Sequence, residues 1–157
     1  MAGYSVEREL AVPVRAAFDV IVAEDVLPFV LRRWGPVPGV AGTRELSGPW
    51  DTPGSSRVVV LEDGRTVRET VLAWQAHQHF AYRVEGFQGF AGRLIDHAVG
   101  EWWFEPRGTD ASWFRWRYSF RARGWWTAPA VEVFTRTAWA GYMEQCANLC
   151  VERAEGT

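Results

Sequence analysis

The sequence contains no lysine, since all 17 of its basic residues are arginine. Schiff-base chemistry and lysine general bases are therefore excluded. It has only two cysteines, Cys146 and Cys150, and their spacing in a predicted helix favours two packed thiols over a disulfide. A chain of 157 residues can bury a sufficient core without disulfide or metal crosslinks. We therefore expect a single domain that spans residues 1–157.

A basic excess and long apolar runs are also missing. The formal net charge is -2, and phosphate binding normally uses a positive field, so we expect no nucleic acid partner. No stretch approaches the roughly 20 apolar residues of a membrane-spanning helix, and no charged and then apolar leader begins the chain. The expectation is a soluble, cytoplasmic protein without a membrane span. There is no phosphate-binding loop or dinucleotide fingerprint, so we expect no cofactor.

Aromatic residues are abundant instead, at 15% of the chain with ten tryptophans. Packing one domain of this size requires fewer, so some rings are expected to line a cavity. The stretch SWFRWRYSFRAR, residues 112–123, alternates aromatic and basic residues, which is typical of a strand with one buried and one solvated face. The rings expected to face inward are Phe114, Trp116, Tyr118 and Phe120. The side chains expected to face water include Arg115, Arg117 and Arg121.

The order of predicted elements indicates an α+β fold. A first strand at 4–12 precedes two short helices at 14–23 and 24–34. Alternation with turn signals then predicts six antiparallel strands within 40–48, 55–64, 65–74, 79–87, 98–108 and 110–123. After Thr127 the period becomes helical, with a stripe formed by Val131, Phe134, Ala138, Tyr142, Cys146 and Leu149. We predict a curved seven-stranded sheet wrapped around a long C-terminal helix.

Residues 88–98, QGFAGRLIDHA, are too long and glycine-rich for a minimal hairpin, so we predict a loop there. Long ordered loops in compact domains are often lids. His97 in such a lid is a candidate for proton transfer near neutral pH, and Arg93 would lie beside it. The alternative is a solvated loop without a role.

Strand parity and the helical stripe together predict which side chains face a ligand. The predicted ligand-binding set is Val67, Glu69, Val71, Phe80, Tyr82, Arg93, Trp102, Phe104, Phe114, Trp116, Tyr118, Phe134, Ala138 and Tyr142. Tyrosine hydroxyls in an apolar lining would orient a ligand, although each is equally suited to a hydrogen bond with backbone. The candidate catalytic residues are Glu69, Tyr82 and His97.

Glu69 is the sharpest of these candidates, because an unpaired buried carboxylate is unfavourable. It is suited to general acid or base catalysis, or to anchoring a ligand hydroxyl. The alternatives are an ion pair with Arg57 on the neighbouring strand, or exposure to solvent after a bulge. His77 and His79 form an H-x-H pair without an evident third ligand, so we favour surface histidines and expect no metal.

Two long runs carry a family resemblance. They are LEDGRTVRETVLAWQAHQHFAYRVEG, residues 61–86, and GEWWFEPRGTDASWFRWRYSF, residues 100–120. With the order of elements and the terminal helix, they resemble the START/Bet v1-like (SRPBCC) superfamily, specifically its polyketide cyclase/dehydrase and lipid transport group, from about residue 4 to residue 153. The resemblance implies a helix-grip fold with a deep hydrophobic cavity. It carries over no catalytic residue.

Three functional hypotheses stay open. The first is an enzyme that encloses a polyketide-like or aromatic molecule and cyclises or dehydrates it, with help from Glu69 and tyrosine hydroxyls. The second is a non-catalytic carrier of a lipid, quinone or isoprenoid. The third is a scaffold that docks a partner protein through Trp103, Trp113 and Trp125, of which the first two would also support a homodimer.

Overall fold

One seven-stranded antiparallel sheet forms the centre of the computed structural model, which describes residues 1–156. The strands are β1 (Ala2–Leu10), β2 (Val40–Arg44), β3 (Ser56–Leu61), β4 (Thr66–Gln75), β5 (His79–Glu85), β6 (Ile95–Pro106) and β7 (Ser112–Ala122). Their spatial order is β1-β7-β6-β5-β4-β3-β2, so the first strand pairs with the last and the others form a meander.

Helices cover one face of this sheet. They are α1 (Val14–Ile21), α2 (Leu27–Val30), α3 (Gly89–Leu94), and a 28-residue C-terminal helix composed of α4 (Ala128–Phe134), a π-helical turn (Thr135–Trp139) and α5 (Ala140–Glu155). The predicted α+β helix-grip architecture is confirmed. No helix within residues 1–156 combines the length and apolar character needed to cross a membrane.

The two faces of β7 differ in the way that its sequence predicts. Phe114, Trp116, Tyr118 and Phe120 are buried on the inner face. On the outer face, Arg115 pairs across the sheet with Glu7, and Arg117 with Glu101. The outer arginines therefore lie among carboxylates and solvent. Such polar residues are expected on the solvent-exposed face of an antiparallel sheet.

The outer tryptophans do not form one surface. Trp103 and Trp113 are half-buried beneath Arg115 and Arg107, whose guanidinium carbons lie 5.5 and 5.3 Å from the ring centroids. Trp125 follows the opposite end of β7, which is about 30 Å from Trp113 at the usual rise of about 3.3 Å per strand residue. The docking hypothesis that required these three rings together is therefore wrong, while a homodimer stays a prediction.

The loop predicted at 88–98 is absent. Its first part folds as α3, and β6 already begins at Ile95, which pairs with Ala122. A bulge at Asp96 then restores the inward parity of Ala98. The start of β6 is hidden in the sequence because one bulged residue breaks the alternation that identifies a strand.

The second predicted helix is also much shorter than 24–34. Only four residues are helical, because Leu31 leaves the helical region at φ -97° and ψ 80°. The chain then passes along α5 as residues 31–38, where the backbone carbonyls of Arg32 and Pro38 accept hydrogen bonds from Gln145 and Tyr142. This segment forms one wall of the space described below.

The C-terminal helix is held at its edges. On one side, Glu144 of α5 accepts hydrogen bonds from Tyr4 and Arg8 of β1. On the other side, the indole of Trp34 lies so close to Gly141 that a Cβ there would be 2.1 Å from its Nε1. Because its supports lie at the margins, the helix spans the concave sheet and leaves room beneath its middle.

Candidate ligand-binding site

A cavity of about 270 Å³ lies between the sheet and the C-terminal helix. This volume is near the lower end of the range for small-molecule sites, about 300–1,000 Å³. The sheet contributes a wall that includes Val67, Glu69, Phe80, Tyr82, Trp102, Trp116, Tyr118 and Phe120. The helix contributes Phe134, Trp139, Tyr142, Cys146 and Cys150. The space required by the functional hypotheses is therefore present.

The exposed residues of the cavity lining mark its opening. Its rim includes the exposed residues Pro36, Asp63, Arg65 and Gln88, from three separate loops. At the other end of the sheet, Phe18 of α1 packs its ring edge-on against other rings and fills the space. A ligand would enter between the β3–β4 hairpin and α3.

Nine of the fourteen predicted ligand-binding residues line this cavity. They are Val67, Glu69, Phe80, Tyr82, Trp102, Trp116, Tyr118, Phe134 and Tyr142. Five do not line it: Val71, Arg93, Phe104, Phe114 and Ala138. Alternation along the strands and the helical stripe account for the nine lining residues. The position of each of the other five has a physical cause.

Two of the five lie in the packed end of the sheet. Phe104 contacts Phe18 at 5.1 Å between ring centroids, and Phe114 is fully buried beside it. Both side chains point inward as predicted, but Phe18 of α1 occupies the space in front of Phe104. Val71 lies in register with Tyr82, and its short side chain is buried in the core at 1% exposure. Arg93 is exposed on α3 and does not point into the cavity lining.

Ala138 is displaced from the lining by the π-helical turn. In a π-turn the backbone bond spans five residues rather than four, so one residue more is needed to return to the same face. Trp139 therefore follows Phe134 on the cavity side, and Cys150 replaces the predicted Leu149. Within the widened turn, Thr135 donates a 2.7 Å hydrogen bond to the carbonyl of residue 131.

His97 does not face the cavity, so its prediction as a lid histidine is wrong. It lies in β6 on the outer side of the sheet, in register with Glu85 and Arg121. Its Nδ1 is 2.7 Å from the carboxylate of Asp96. The cause is again the early start of β6, which converts the predicted loop into a strand.

Glu69 lies inside the cavity wall and forms a buried ion pair with Arg57 of β3. The Arg57 Nε donates to Glu69 Oε1 at 3.0 Å, and Nη1 donates to the carbonyl of Glu24 at 2.7 Å. The guanidinium also stacks on Trp50 at 3.8 Å from the ring centroid. The predicted pairing with Arg57 is thus present, and these hydrogen bonds leave Glu69 Oε2 unused.

The protonation of Glu69 reflects its burial. Desolvation raises the pKa of this carboxyl above its usual value, and the charge and hydrogen bond of Arg57 offset the effect only in part. A neutral carboxylic acid can donate a hydrogen bond or a proton, which a carboxylate cannot do. Glu69 is therefore the residue of the cavity best suited to act as an acid.

Tyr82 lies flat across the neighbouring strand at Gly100. A Cβ at Gly100 would lie 2.2 Å from the Tyr82 ring, so only glycine leaves room for it. The Tyr82 hydroxyl accepts a 3.2 Å hydrogen bond from Trp116 Nε1. Burial raises the pKa of Tyr82, so the phenol stays protonated. Its position is therefore fixed by packing and by one donor.

The other two cavity tyrosines differ in their partners. Tyr142 donates to the carbonyl of Pro38 at 3.1 Å. The Tyr118 hydroxyl makes no hydrogen bond within residues 1–156, and its ring lies 4.7 Å from that of Trp139. Burial raises the pKa of both phenols. Tyr118 is thus the phenol whose donor is free for a ligand.

Cys146 and Cys150 also line the cavity, which their helical spacing alone did not show. Their sulfurs are 4.0 Å apart, and burial raises the pKa of Cys146, so this thiol stays neutral. The cysteines therefore add polarisable apolar surface. Outside the cavity, His77 and His79 bond to different carboxylates, and no group of three metal-ligating side chains forms within the described residues.

Comparison with known families matches almost the whole chain. Residues 1–155 match the family described as "Polyketide cyclase / dehydrase and lipid transport". A search among curated proteins finds no sequence that matches this chain.

Solved structures of the same fold are numerous, and all of the following share little sequence. A protein from Nitrosospira multiformis has a TM-score of 0.67 at 14% identity, over 96% of this chain and 95% of its own. Ara h 8.0201 has a TM-score of 0.60 at 16% identity, over 93% and 97%. Norcoclaurine synthase from Thalictrum flavum, solved with dopamine and hydroxybenzaldehyde, has a TM-score of 0.62 at 12% identity, over 96% and 86%.

Proposed function

The chain belongs to the polyketide cyclase / dehydrase and lipid transport family, and on this premise we propose that it binds a small hydrophobic molecule, polyketide-like or aromatic, between sheet and helix. The observation that carries the proposal is the cavity between the sheet and the C-terminal helix, whose lining is mainly apolar. Binding of apolar molecules in such sites is driven by removal of their surface from water.

The shape of the wall favours a flat or ring-containing ligand. Trp102 and Trp116 stack with a centroid distance of 4.7 Å and an interplanar angle of 7°. Together with Phe80 and Phe120 they offer ring faces and edges, against which planar molecules pack well. Norcoclaurine synthase, which shares the fold, was solved with two small aromatic molecules, which supports this class without identifying the ligand.

Polar groups in the cavity favour a ligand that carries oxygen. Tyr118 offers a free phenol donor, and Glu69 offers its Oε2. A few polar groups in an apolar site fix the orientation of the ligand. We therefore favour a molecule with a carbonyl or hydroxyl group.

A second candidate function is catalysis, and the observation behind it is a cavity carboxyl, Glu69, whose pKa is raised by burial. In a dehydration, the Glu69 carboxyl would protonate a departing hydroxyl, which leaves as water. The resulting carboxylate would then take the proton from the neighbouring carbon as the double bond forms, so the acid returns to its initial state. Tyr118 would hold the ligand carbonyl. The non-catalytic alternative is a carrier of a lipid, quinone or isoprenoid.

Binding is tested with the fluorescent apolar probe anilinonaphthalene sulfonate. Val67→Trp places a large ring in the half-buried part of the cavity, and we expect probe affinity to fall by about tenfold or more. The matched control is Val99→Trp, at a half-buried position on the outer face of β6, which should bind as the wild type does. Equal affinity of both variants would contradict cavity binding.

Carrier and enzyme are separated by mass spectrometry of the ligand that copurifies with the Glu69→Gln variant, in which acid catalysis by this residue is removed. Incubation of that ligand with the wild type, followed by denaturation, should show loss of one water if the protein is a dehydratase. Glu69→Gln should bind the same ligand and leave its mass unchanged. An unchanged mass with both proteins would reject dehydration, while a cyclisation without loss of mass would appear as a changed retention time.

A further inference from the structure

The strongest feature outside the cavity is a group of exposed apolar side chains near its opening, which we name the aromatic patch. It consists of Phe90, Trp125, Trp126 and Val133, whose exposed fractions are 70%, 83%, 66% and 63%. Neither sequence motifs nor cavity binding accounts for them. Contiguous exposed apolar surface on a protein normally marks an interaction site.

The four residues lie on two segments that are joined by hydrogen bonds. Thr127 Oγ1 and the backbone N–H of Arg123 both donate to the carbonyl of Leu94 at the end of α3. Arg123 Nε also donates to the carbonyl of Gly92. The turn that carries the tryptophans is therefore fixed against the helix that carries Phe90.

The rings are held in place although they are exposed. The Trp126 ring lies directly over Gly124, where a Cβ would approach it to 2.5 Å. Trp125 and Trp126 contact each other at right angles, with their centroids 6.0 Å apart. Rigid exposed aromatic rings lose little conformational entropy when they insert into another phase.

The aromatic patch adjoins the opening of the cavity. Gln88 and Ala91, on either side of Phe90, line the cavity. Phe134, which follows Val133, lines it from the helix. A molecule that enters or leaves the cavity would therefore pass beside these exposed rings.

The charge around the aromatic patch has the opposite sign to that of the whole chain. Segments 87–96 and 121–137 carry four arginines and two acidic residues, a net charge of +2, whereas the chain has -2. Asp96 and Glu132 are both within ion-pair distance of an arginine. Arg93 forms no ion pair with any residue in the described part of the chain. This field favours an anionic partner.

We propose that the aromatic patch docks the protein on the surface of an anionic lipid bilayer, with the cavity opening toward the membrane. Tryptophan side chains prefer the boundary between headgroups and acyl chains. Neighbouring arginines add attraction to anionic lipids. No helix in residues 1–156 is suited to span the bilayer, so the attachment is peripheral and reversible. This docking goes beyond ligand binding and would deliver apolar cargo without passage through water.

The proposal is tested by co-sedimentation with vesicles of phosphatidylcholine that contain about 30% phosphatidylglycerol. We expect the wild type to bind and the double variant Trp125→Ala/Trp126→Ala to bind at least about fivefold more weakly. Arg93→Glu should weaken binding about two- to threefold, and more salt should weaken it further. Trp103→Ala is the matched control, because it removes a tryptophan at the far end of β6.

Several outcomes would overturn docking. Docking is wrong if the wild type stays in the supernatant. It is also wrong if the double variant sediments as much as the Trp103→Ala control does. If light scattering shows a wild-type dimer that the double variant lacks, while neither sediments, the patch is an interface between copies of the chain. Trp125→Ala alone, at a side chain 83% exposed, keeps the test valid if the double variant does not fold.

The same assay separates docking from cavity binding. Val67→Trp should lose the fluorescent probe and still sediment with vesicles, because its change lies inside the cavity. Probe binding by a protein that does not sediment would reject docking alone. Sedimentation of a wild type that does not bind the probe would reject cavity binding alone.

Discussion

The inner face of the sheet has two halves that are both rich in aromatic residues and yet behave differently. In the packed half, Phe104 and Phe114 pair across β6 and β7, and Phe18 covers them. In the open half, Tyr118 and Phe120 face the cavity. The residue types are similar, so composition does not decide which half encloses a space.

The difference lies in what each half faces. Opposite Tyr118 and Phe120, β6 carries Gly100 and Ala98, which occupy little volume. Opposite Phe114 it carries Phe104, and α1 adds Phe18 above both. A cavity forms where small side chains meet a helix held at its margins. A core forms where a second layer of rings fills the gap.

The largest expected effect comes from truncation in the packed half. Phe114→Ala removes a fully buried ring and should lower the free energy of unfolding by about 3–5 kcal/mol. Tyr118→Phe in the open half should change it by less than about 1 kcal/mol, because the hydroxyl has no protein partner within residues 1–156. Urea denaturation measures both, and similar losses would mean that the two halves do not differ.

The next effect comes from filling the narrow position in the open half. Gly100→Val places side-chain atoms where the Tyr82 ring lies, so we expect about 1–3 kcal/mol of destabilisation and weaker probe binding. Gly42→Ala is the control, since a Cβ at this strand glycine meets no atom within 4 Å. Crystal structures would show Tyr82 displaced into the cavity. Unchanged stability and an unmoved Tyr82 ring in Gly100→Val would show that the contact between residue 100 and this ring does not require glycine.

A smaller effect is expected in the pH dependence of Glu69. Its pKa is raised in the folded protein above the unfolded value of 4.5, so the folded state holds the proton more tightly. The contribution of this carboxyl to the free energy of unfolding is fully present below pH 4.5. It is lost as the pH rises through the pKa of the folded state. Thermal unfolding between pH 4 and 8 should therefore show a steeper loss in the wild type than in Glu69→Gln. Parallel curves would mean that the Glu69 carboxyl does not titrate abnormally.

The smallest effect should come from Glu144, at the edge of the helix and outside both halves. Burial raises its pKa, but hydrogen bonds from Arg8 and Tyr4 outweigh this and lower the pKa below 4.5. Its contribution is present above pH 4.5 and is lost as pH falls through the folded pKa. Glu144→Gln should destabilise slightly at pH 7 and less at pH 3, as measured by urea denaturation at the two pH values. Asn148→Ala, on the same helix face, provides a control without a titrating group.

Most of the fold and about two thirds of the predicted ligand-binding set follow from periodicity. Strand parity placed Glu69, Tyr82 and Trp116 on the inner face, and the structure has them in the cavity wall. The errors occur where one extra residue interrupts a period. The bulge at Asp96 concealed the start of β6, and the π-turn exchanged Ala138 for Trp139. Neither interruption has a composition that distinguishes it from its neighbours.

By itself, the sequence determined that the sheet has one solvated and one buried face. It also determined the order of the strands along the chain and the presence of a long final helix. These features follow from local periodicity, because the polarity of each side chain matches its exposure to solvent. Which rings touch one another and which face empty space depended on the tertiary structure. That distinction arises between segments far apart in the chain. Phe18 fills one end of the sheet, Gly100 leaves room for the Tyr82 ring, and Trp139 faces the cavity.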